Sequence, residues 1–269
     1  MLLHHLFETG ATIEEINTVR KHISLARGGY LVKYAYPARA ASLIFSDVPG
    51  DDMEFIASGP TVRDTTTMTD ARAVLQKYDP AGNFSAIADN LIETPKDEKY
   101  FVNVANFLAV NNMTALRAME QLGRELGFAP AIKTAALHGE ARDVGRAIVR
   151  DLHAAVPGSI ILYGGETTVT IVNPKGVGGR NQEVVLGALQ DIKDGELVMS
   201  IATDGHDNTG FGGALCDIIT KQTAENKNLE PDISLKENRS YDFFSAEGDY
   251  LIMGDTGSNV SDIMIAIKE

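Results

Sequence analysis

The chain has 269 residues, 44% apolar and 23% charged, which is enough for one large domain or two ordinary ones and too apolar for a disordered chain. Its 37 acidic and 24 basic residues leave a net charge of −13, which repels nucleic-acid backbones in the absence of a basic patch, and no such patch occurs. No apolar run approaches the roughly 20 residues needed to span a bilayer, so the reading is no nucleic acid and no membrane.

Met1-Leu2-Leu3-His4-His5-Leu6 lacks the basic and long apolar regions of a secretory signal, and the lone Cys216 excludes an internal disulfide. A cytoplasmic location is expected, with Cys216 a small semi-buried hydrophobe.

The first helix is signalled by Thr12 as cap with Glu15 three residues later, and by an apolar stripe of Ile16, Val19 and Ile23. It ends on Arg20-Lys21-His22-Ile23-Ser24, basic groups that either oppose the negative helix end or face an anionic ligand. Gly28-Gly29 breaks the pattern before a short helix from Tyr30 to Tyr36. Residues 40–46 read as a buried strand, and Asp47-Val48-Pro49-Gly50-Asp51-Asp52 follows at its end, where an acidic loop can hold Mg²⁺ or simply turn in solvent. Ile56-Ala57-Ser58-Gly59-Pro60-Thr61 is a small-residue loop, and helices are expected over Met68–Tyr78 and Phe84–Leu91.

The polar, proline-interrupted run Ile92 to Lys99 marks the expected junction between domains 1–96 and 97–269. Beyond it we expect strands over 101–110, 131–137, 159–163, 168–172, 197–202 and 250–253, and helices over 112–126, 140–155, 181–192, 214–225 and 241–246. A last helix is expected from the loop Gly254 to Asn259 to the end, with Asn259 as its cap. Strands alternating with helices predict an α/β fold with mostly parallel strands.

Three kinds of residue gather at strand ends. They are acids (Asp47, Glu166, Asp204), an arginine at a helix start beside free N–H groups (Arg180), and glycine turns (Gly178-Gly179, Gly254 to Gly257). Phosphoryl transfer uses this set, because its catalysis is chiefly positioning plus positive charge and Mg²⁺. Each feature has a plainer alternative: Arg180 paired with an acid such as Glu183, Asp204 capping its own loop.

Gly164-Gly165-Glu166-Thr167-Thr168, Gly178-Gly179-Arg180-Asn181-Gln182-Glu183, Thr203-Asp204-Gly205-His206-Asp207 and Gly257-Ser258-Asn259-Val260-Ser261-Asp262 resemble the signature of the MOFRL family, the C-terminal part of glycerate 2-kinases. Arg20 to Ser24 with Gly28-Gly29, Ser46 to Asp51 and Ile56 to Thr61 resemble the preceding part of the same enzymes, so the resemblance spans nearly the whole chain. It implies Mg²⁺- and ATP-dependent phosphorylation of D-glycerate at the 2-hydroxyl, in a cleft between two α/β domains. Some relatives carry a hydroxypyruvate reductase label, but no dinucleotide-binding glycine fingerprint occurs in this sequence.

The resemblance makes Arg180 and Asp204 the catalytic residues and Asp47 with Asp204 the metal carboxylates. Lys21, Ser24, Ser58, Glu166, Gly179, Asn181 and Asn259 become contacts to substrate or nucleotide. It also carries departures. Relatives begin well before the present Met1, with a Rossmann-like segment holding a Gly-Gly-Gly-Ser loop and a catalytic lysine, and Arg27, Asn208 and Thr209 stand where relatives keep lysine, glycine and proline. The expected architecture is therefore a truncated Rossmann-like N-terminal domain plus a MOFRL-type α/β domain, with activity impaired in this chain alone. The alternatives are a non-catalytic glycerate- or phosphate-binding module, a subunit completed by a complementing N-terminal chain, or a homodimer.

Overall fold

A computed structural model describes residues 1–269. The chain divides into two compact units: residues 1–45 with 51–109, and residues 46–50 with 110–269.

The first unit contains helices α1 (Leu2–Glu8), α2 (Ile13–His22), α3 (Tyr30–Ala35), α4 (Met68–Tyr78) and α5 (Ser85–Asp89), with the two-stranded sheet of β1 (Ala40–Phe45) and β2 (Val104–Val110). Helix α2 starts as its sequence dictates. The Thr12 hydroxyl accepts from the Glu15 N–H and the Glu15 carboxylate accepts from the Thr12 N–H. Ile16 and Val19 bury against Leu2, Leu6, Ala71, Leu75 and Leu91, so the unpredicted α1 forms because two leucines four apart close this small core.

The second unit is a six-stranded sheet between helices. Its strands are β3 (Ala129–Leu137), β4 (Ser159–Gly165), β5 (Glu196–Ala202), β6 (Gly213–Cys216), β7 (Tyr250–Leu251) and β8 (Asp262–Lys268), in the order β3-β4-β8-β5-β6-β7. Its helices are α6 (Asn112–Glu125), α7 (Ala141–Ala154), α8 (Arg180–Leu189), α9 (Ile218–Asn226), α10 (Pro231–Lys236) and α11 (Ser240–Glu247). Alternation along β4 and β8 sorts the two faces. Ile160, Leu162 and Ile263 pack on Leu116 of α6, while Tyr163, Met264 and Ala266 pack on α7 and α8.

Several expectations are corrected. The chain ends in a strand rather than a helix: Ile263, Ile265 and Ile267 alternate with Met264 and Ala266, and both faces are apolar because β8 lies between β4 and β5. Asn259 therefore caps no helix. The sheet is not mostly parallel, since only β3 and β4 run parallel and the β4–β8, β8–β5, β5–β6 and β6–β7 pairs are antiparallel. Residues 214–216 belong to β6, and the helix starts only after Asp217, whose carboxylate accepts from the Ile219 and Thr220 N–H groups. Residues 168–172 form a single bridge, Thr168 to Glu140, instead of a strand. The Thr168 N–H donates to the Gly139 carbonyl, while two further N–H groups go to side chains: Thr170 donates to Glu140 and Val172 to Asn238.

Candidate active site at the strand ends of the second unit

The antiparallel insertion of β8 brings the glycine- and acid-bearing clusters together. Gly165, the last residue of β4, and Ala202, the last of β5, both pair with Asp262, the first of β8. Glu166, Thr203 and Asp262 thus emerge at one edge of the sheet.

Arg180 opens α8 at this edge and is held from two sides. Its Nε and Nη2 donate to the two Asp262 oxygens at 2.6 and 3.1 Å, and its Nη1 lies 2.6 Å from Glu166. The partner is not Glu183, which pairs with Arg142 at 3.6 Å and accepts from Asn238 at 3.0 Å. A bidentate carboxylate locks the guanidinium plane, leaving a half-buried cation whose direction is set before any ligand arrives.

Asp262 is 0% exposed. Burial pushes its carboxyl up to about 6, against the opposing hydrogen bond and charge of Arg180. The folded chain therefore keeps this proton above the ordinary value of 3.8, so the contribution favours folding below pH 3.8 and fades as pH rises through about 6. A carbon-detected NMR titration of the Asp262 carboxyl should show a midpoint near 6; an ordinary midpoint near 4 would contradict this geometry.

The start of α8 is not open to a ligand, contrary to the expectation of free N–H groups beside Arg180. The Asp207 carboxylate accepts from the Asn181 and Gln182 N–H groups at 3.0 and 2.9 Å, and from the Gln182 side chain at 3.0 Å. An internal carboxylate already occupies the positive end of the helix. Gly179 is required here because a Cβ would stand 2.1 Å from the Asp207 carbonyl oxygen. Asn181 is 0% exposed, donating to Asp207 and accepting from Ser200, so it holds the loop rather than meeting solvent.

The remaining loops are laced to one another. Thr203 accepts the Val260 N–H at 2.9 Å and donates to the Ser261 carbonyl at 2.6 Å, and Ser261 donates to the Asp47 carbonyl at 2.5 Å. Asn259 reaches the Asp47 carboxylate at 3.5 Å, and both residues are exposed. One Asp204 oxygen accepts the His206 N–H at 2.9 Å, which leaves the other oxygen of this half-exposed residue without a bond. Asp47, Asp204, Asn259, Glu166 and Arg180 thus belong to one connected set of strand-end loops. A cavity of about 470 Å³ in the same unit, lined by Lys133, His138, Asp151 and Tyr163, includes none of these residues.

Lys21, Ser24 and Ser58 lie in the first unit. Lys21 is 3% exposed, its ammonium 3.0 Å from Asp64 and 3.3 Å from Glu54. Ser58 is fully buried and donates to Asn17 at 2.8 Å, while Ser24 is half-buried and accepts from Arg27 at 3.2 Å.

Three residues of the site carried no sequence signal by themselves. Asp262 and Asp207 were visible only as letters inside longer motifs. Asn112 is 148 residues from Val260, whose carbonyl, with that of Asp262, accepts its amide at 2.8 and 2.9 Å. That amide fills the space a side chain on Gly164 would need, since a Cβ there would lie 1.4 Å from its oxygen.

Residues 1–93 match the family model described as a domain of unknown function (DUF4147), and residues 159–262 match the MOFRL family. A glycerate 2-kinase of Pyrococcus horikoshii is 39% identical across 97% of the chain and 63% of its own length. A relative from Agrobacterium vitis that bears a hydroxypyruvate reductase label is 34% identical over 96% of the chain and 70% of its own length. The crystal structure of a Thermotoga maritima glycerate kinase is similar with a TM-score of 0.90 at 36% identity, covering all of this chain and 66% of that one. The chain spans somewhat under two thirds of the length of the first of these relatives. Matches in both units, carried through the loops that hold Arg180, place this chain in the glycerate 2-kinase family with its DUF4147 and MOFRL regions.

Proposed function

We propose that the chain serves the ATP-dependent phosphorylation of D-glycerate at its 2-hydroxyl, with Arg180 as the cation that meets the transferring phosphoryl group or the substrate carboxylate. The supporting observation is the double clamp on Arg180 by Asp262 and Glu166, which fixes a guanidinium at strand ends among oxygen-bearing loops. Charge spread over the phosphoryl oxygens needs such a prepositioned cation, since a group that must reorganise during the reaction contributes less.

In this reading Asp204 orients the hydroxyl and, with Asp47, supplies hard oxygen donors for Mg²⁺. No group of three or more His, Cys, Asp or Glu is placed to hold a metal ion by itself, and a magnesium ion that arrives with nucleotide phosphates needs only one or two carboxylates. When bound, the ion would neutralise charge on the nucleotide phosphates. Glu166 holds Arg180 and shapes the pocket wall, Gly179 and Asn181 set the loop by packing around Asp207, and Asn259 lines the site beside Asp47. Ser24 and Ser58 are assigned to the nucleotide or substrate side.

The test is ADP release by the purified chain with ATP, Mg²⁺ and D-glycerate. The expected result is slow release, consistent with activity impaired in this chain alone, that needs all three and stops on chelation. Binding of D-glycerate without any ADP release would replace catalysis with a ligand-binding role.

A further inference from the structure

On α2 and the turn after it, three cations are treated differently. Lys21 receives two carboxylates, Asp64 and Glu54. Arg20 and Arg27 receive none: Arg20 donates to the Asn17 amide oxygen at 3.3 Å, and Arg27 to the Ser24 hydroxyl at 3.2 Å. The Arg27 Nε is buried without any hydrogen-bond partner. The chain holds 37 acidic residues against 24 basic ones, so carboxylates are not scarce.

The two guanidiniums also oppose each other. Arg20 is held below its ordinary value first by burial and then by the charge of Arg27. A buried donor without a partner and two uncompensated like charges each cost free energy in the empty protein, and one acceptor-rich dianion relieves both.

The surrounding backbone is fastened in place. Ala57, Ser58 and Gly59 are consecutive residues in the left-handed region, with φ of 51, 61 and 61°. Their carbonyls at Ser58 and Gly59 accept from Gly28 and Gly29 at 2.9 and 2.8 Å, and the Ser58 hydroxyl fixes Asn17, which in turn accepts from Arg20. Two non-glycine residues held at positive φ persist only where their surroundings overdetermine them.

We infer that Arg20 and Arg27, with the Ser24 hydroxyl that accepts from Arg27, form a phosphate-binding clasp in the first unit. The groups offered are donors with two positive charges, which matches a phosphoryl group of charge near −2 better than a carboxylate of charge −1. The phosphoryl group belongs either to a nucleotide or to a small phosphate ester or free phosphate. This inference rests on the ligand-side reading of Ser24 and Ser58 but not on turnover. The kinase reading fails if no ADP forms, and the clasp fails if neither phosphate nor ADP binds.

The test uses the full chain at low ionic strength, with calorimetry and thermal unfolding in inorganic phosphate, ADP and D-glycerate. Phosphate or ADP is expected to raise Tm of the wild type. Arg20→Gln and Arg27→Gln should each weaken that binding by about tenfold or more, the effect of losing a charge-assisted hydrogen bond, with D-glycerate affinity changing less. ADP binding with weak phosphate binding assigns the clasp to the nucleotide, and equal binding assigns it to phosphate itself. Relief of repulsion predicts that unliganded Arg20→Gln melts no lower than wild type, and this variant decides the matter if Arg27→Gln does not fold. Wild type that binds neither probe would overturn the inference. So would variants that melt lower yet bind phosphate as wild type does, or variants that lose D-glycerate but keep phosphate.

Discussion

Arg180→Ala is expected to lower glycerate-dependent turnover by about 10²- to 10³-fold, the loss typical when one preorganised charge-stabilising group is removed. It should also destabilise the second unit, because Asp262 is buried and loses both of its charge-assisted bonds. Removing one partner of a buried pair costs on the order of 3–5 kcal/mol while the other stays charged. Asp262 can escape part of this by protonating, since its carboxyl already titrates at about 6 and would rise further without the guanidinium. The double variant Arg180→Ala with Asp262→Asn separates the two roles. Thermal unfolding should recover, because a neutral amide needs no counter-charge, while turnover should stay low. Recovery of turnover in the double variant would show that Arg180 acts only as a structural counter-ion.

Lys21→Met is expected to show its main effect in stability. The ammonium bonds a carboxylate, Asp64, that is itself 2% exposed. Burial acts to raise the Asp64 value, but the Lys21 hydrogen bond, the Thr66 N–H and the Lys21 charge outweigh it and hold the group below its ordinary 3.8. A depressed carboxylate stabilises the fold above pH 3.8 and loses that contribution as pH falls through its lower folded value. Methionine fills similar volume but leaves Asp64 without its closest cation, so denaturant unfolding at neutral pH should show a loss of about 3–5 kcal/mol. Lys96 donates to the Asp64 and Thr66 carbonyls, and Thr94 donates to the Asp64 carboxylate, so the network does not vanish. Adding Asp64→Asn should restore part of the loss, as coupled partners do. Unchanged stability in Lys21→Met would contradict the buried-network account and return Lys21 to the ligand.

Local signals were legible where one short stretch carries its own physics. Thr12 with Glu15 writes a capping box into four residues, and Met68–Tyr78 was found with both ends correct. The loop acids Asp47, Glu166 and Asp204, and Arg180 at a helix start, were readable because glycine turns follow apolar runs. What failed depended on distant chain. Ile263, Ile265 and Ile267 alternate as a strand must, but only the neighbours β4 and β5 decide that both faces of so short a segment are buried. The Asp207 side chain closes the start of α8 from 26 residues away, so the free N–H groups expected beside Arg180 are already bonded. Asn112 meets the start of β8 across 150 residues. Residue type says that such groups need partners, whereas only the fold says which.

The proposed role of the clamped Arg180 is to serve transfer of phosphate to the 2-hydroxyl of D-glycerate. The most direct measurement is the ³¹P NMR spectrum of the products formed by the wild-type chain from ATP, Mg²⁺ and D-glycerate, with Arg180→Ala run beside it. The expected spectrum shows the signal of a phosphate ester at C2, accumulating with ADP and strongly reduced in the variant. An ester at C3, or an ester at C2 formed equally fast without Arg180, would contradict it.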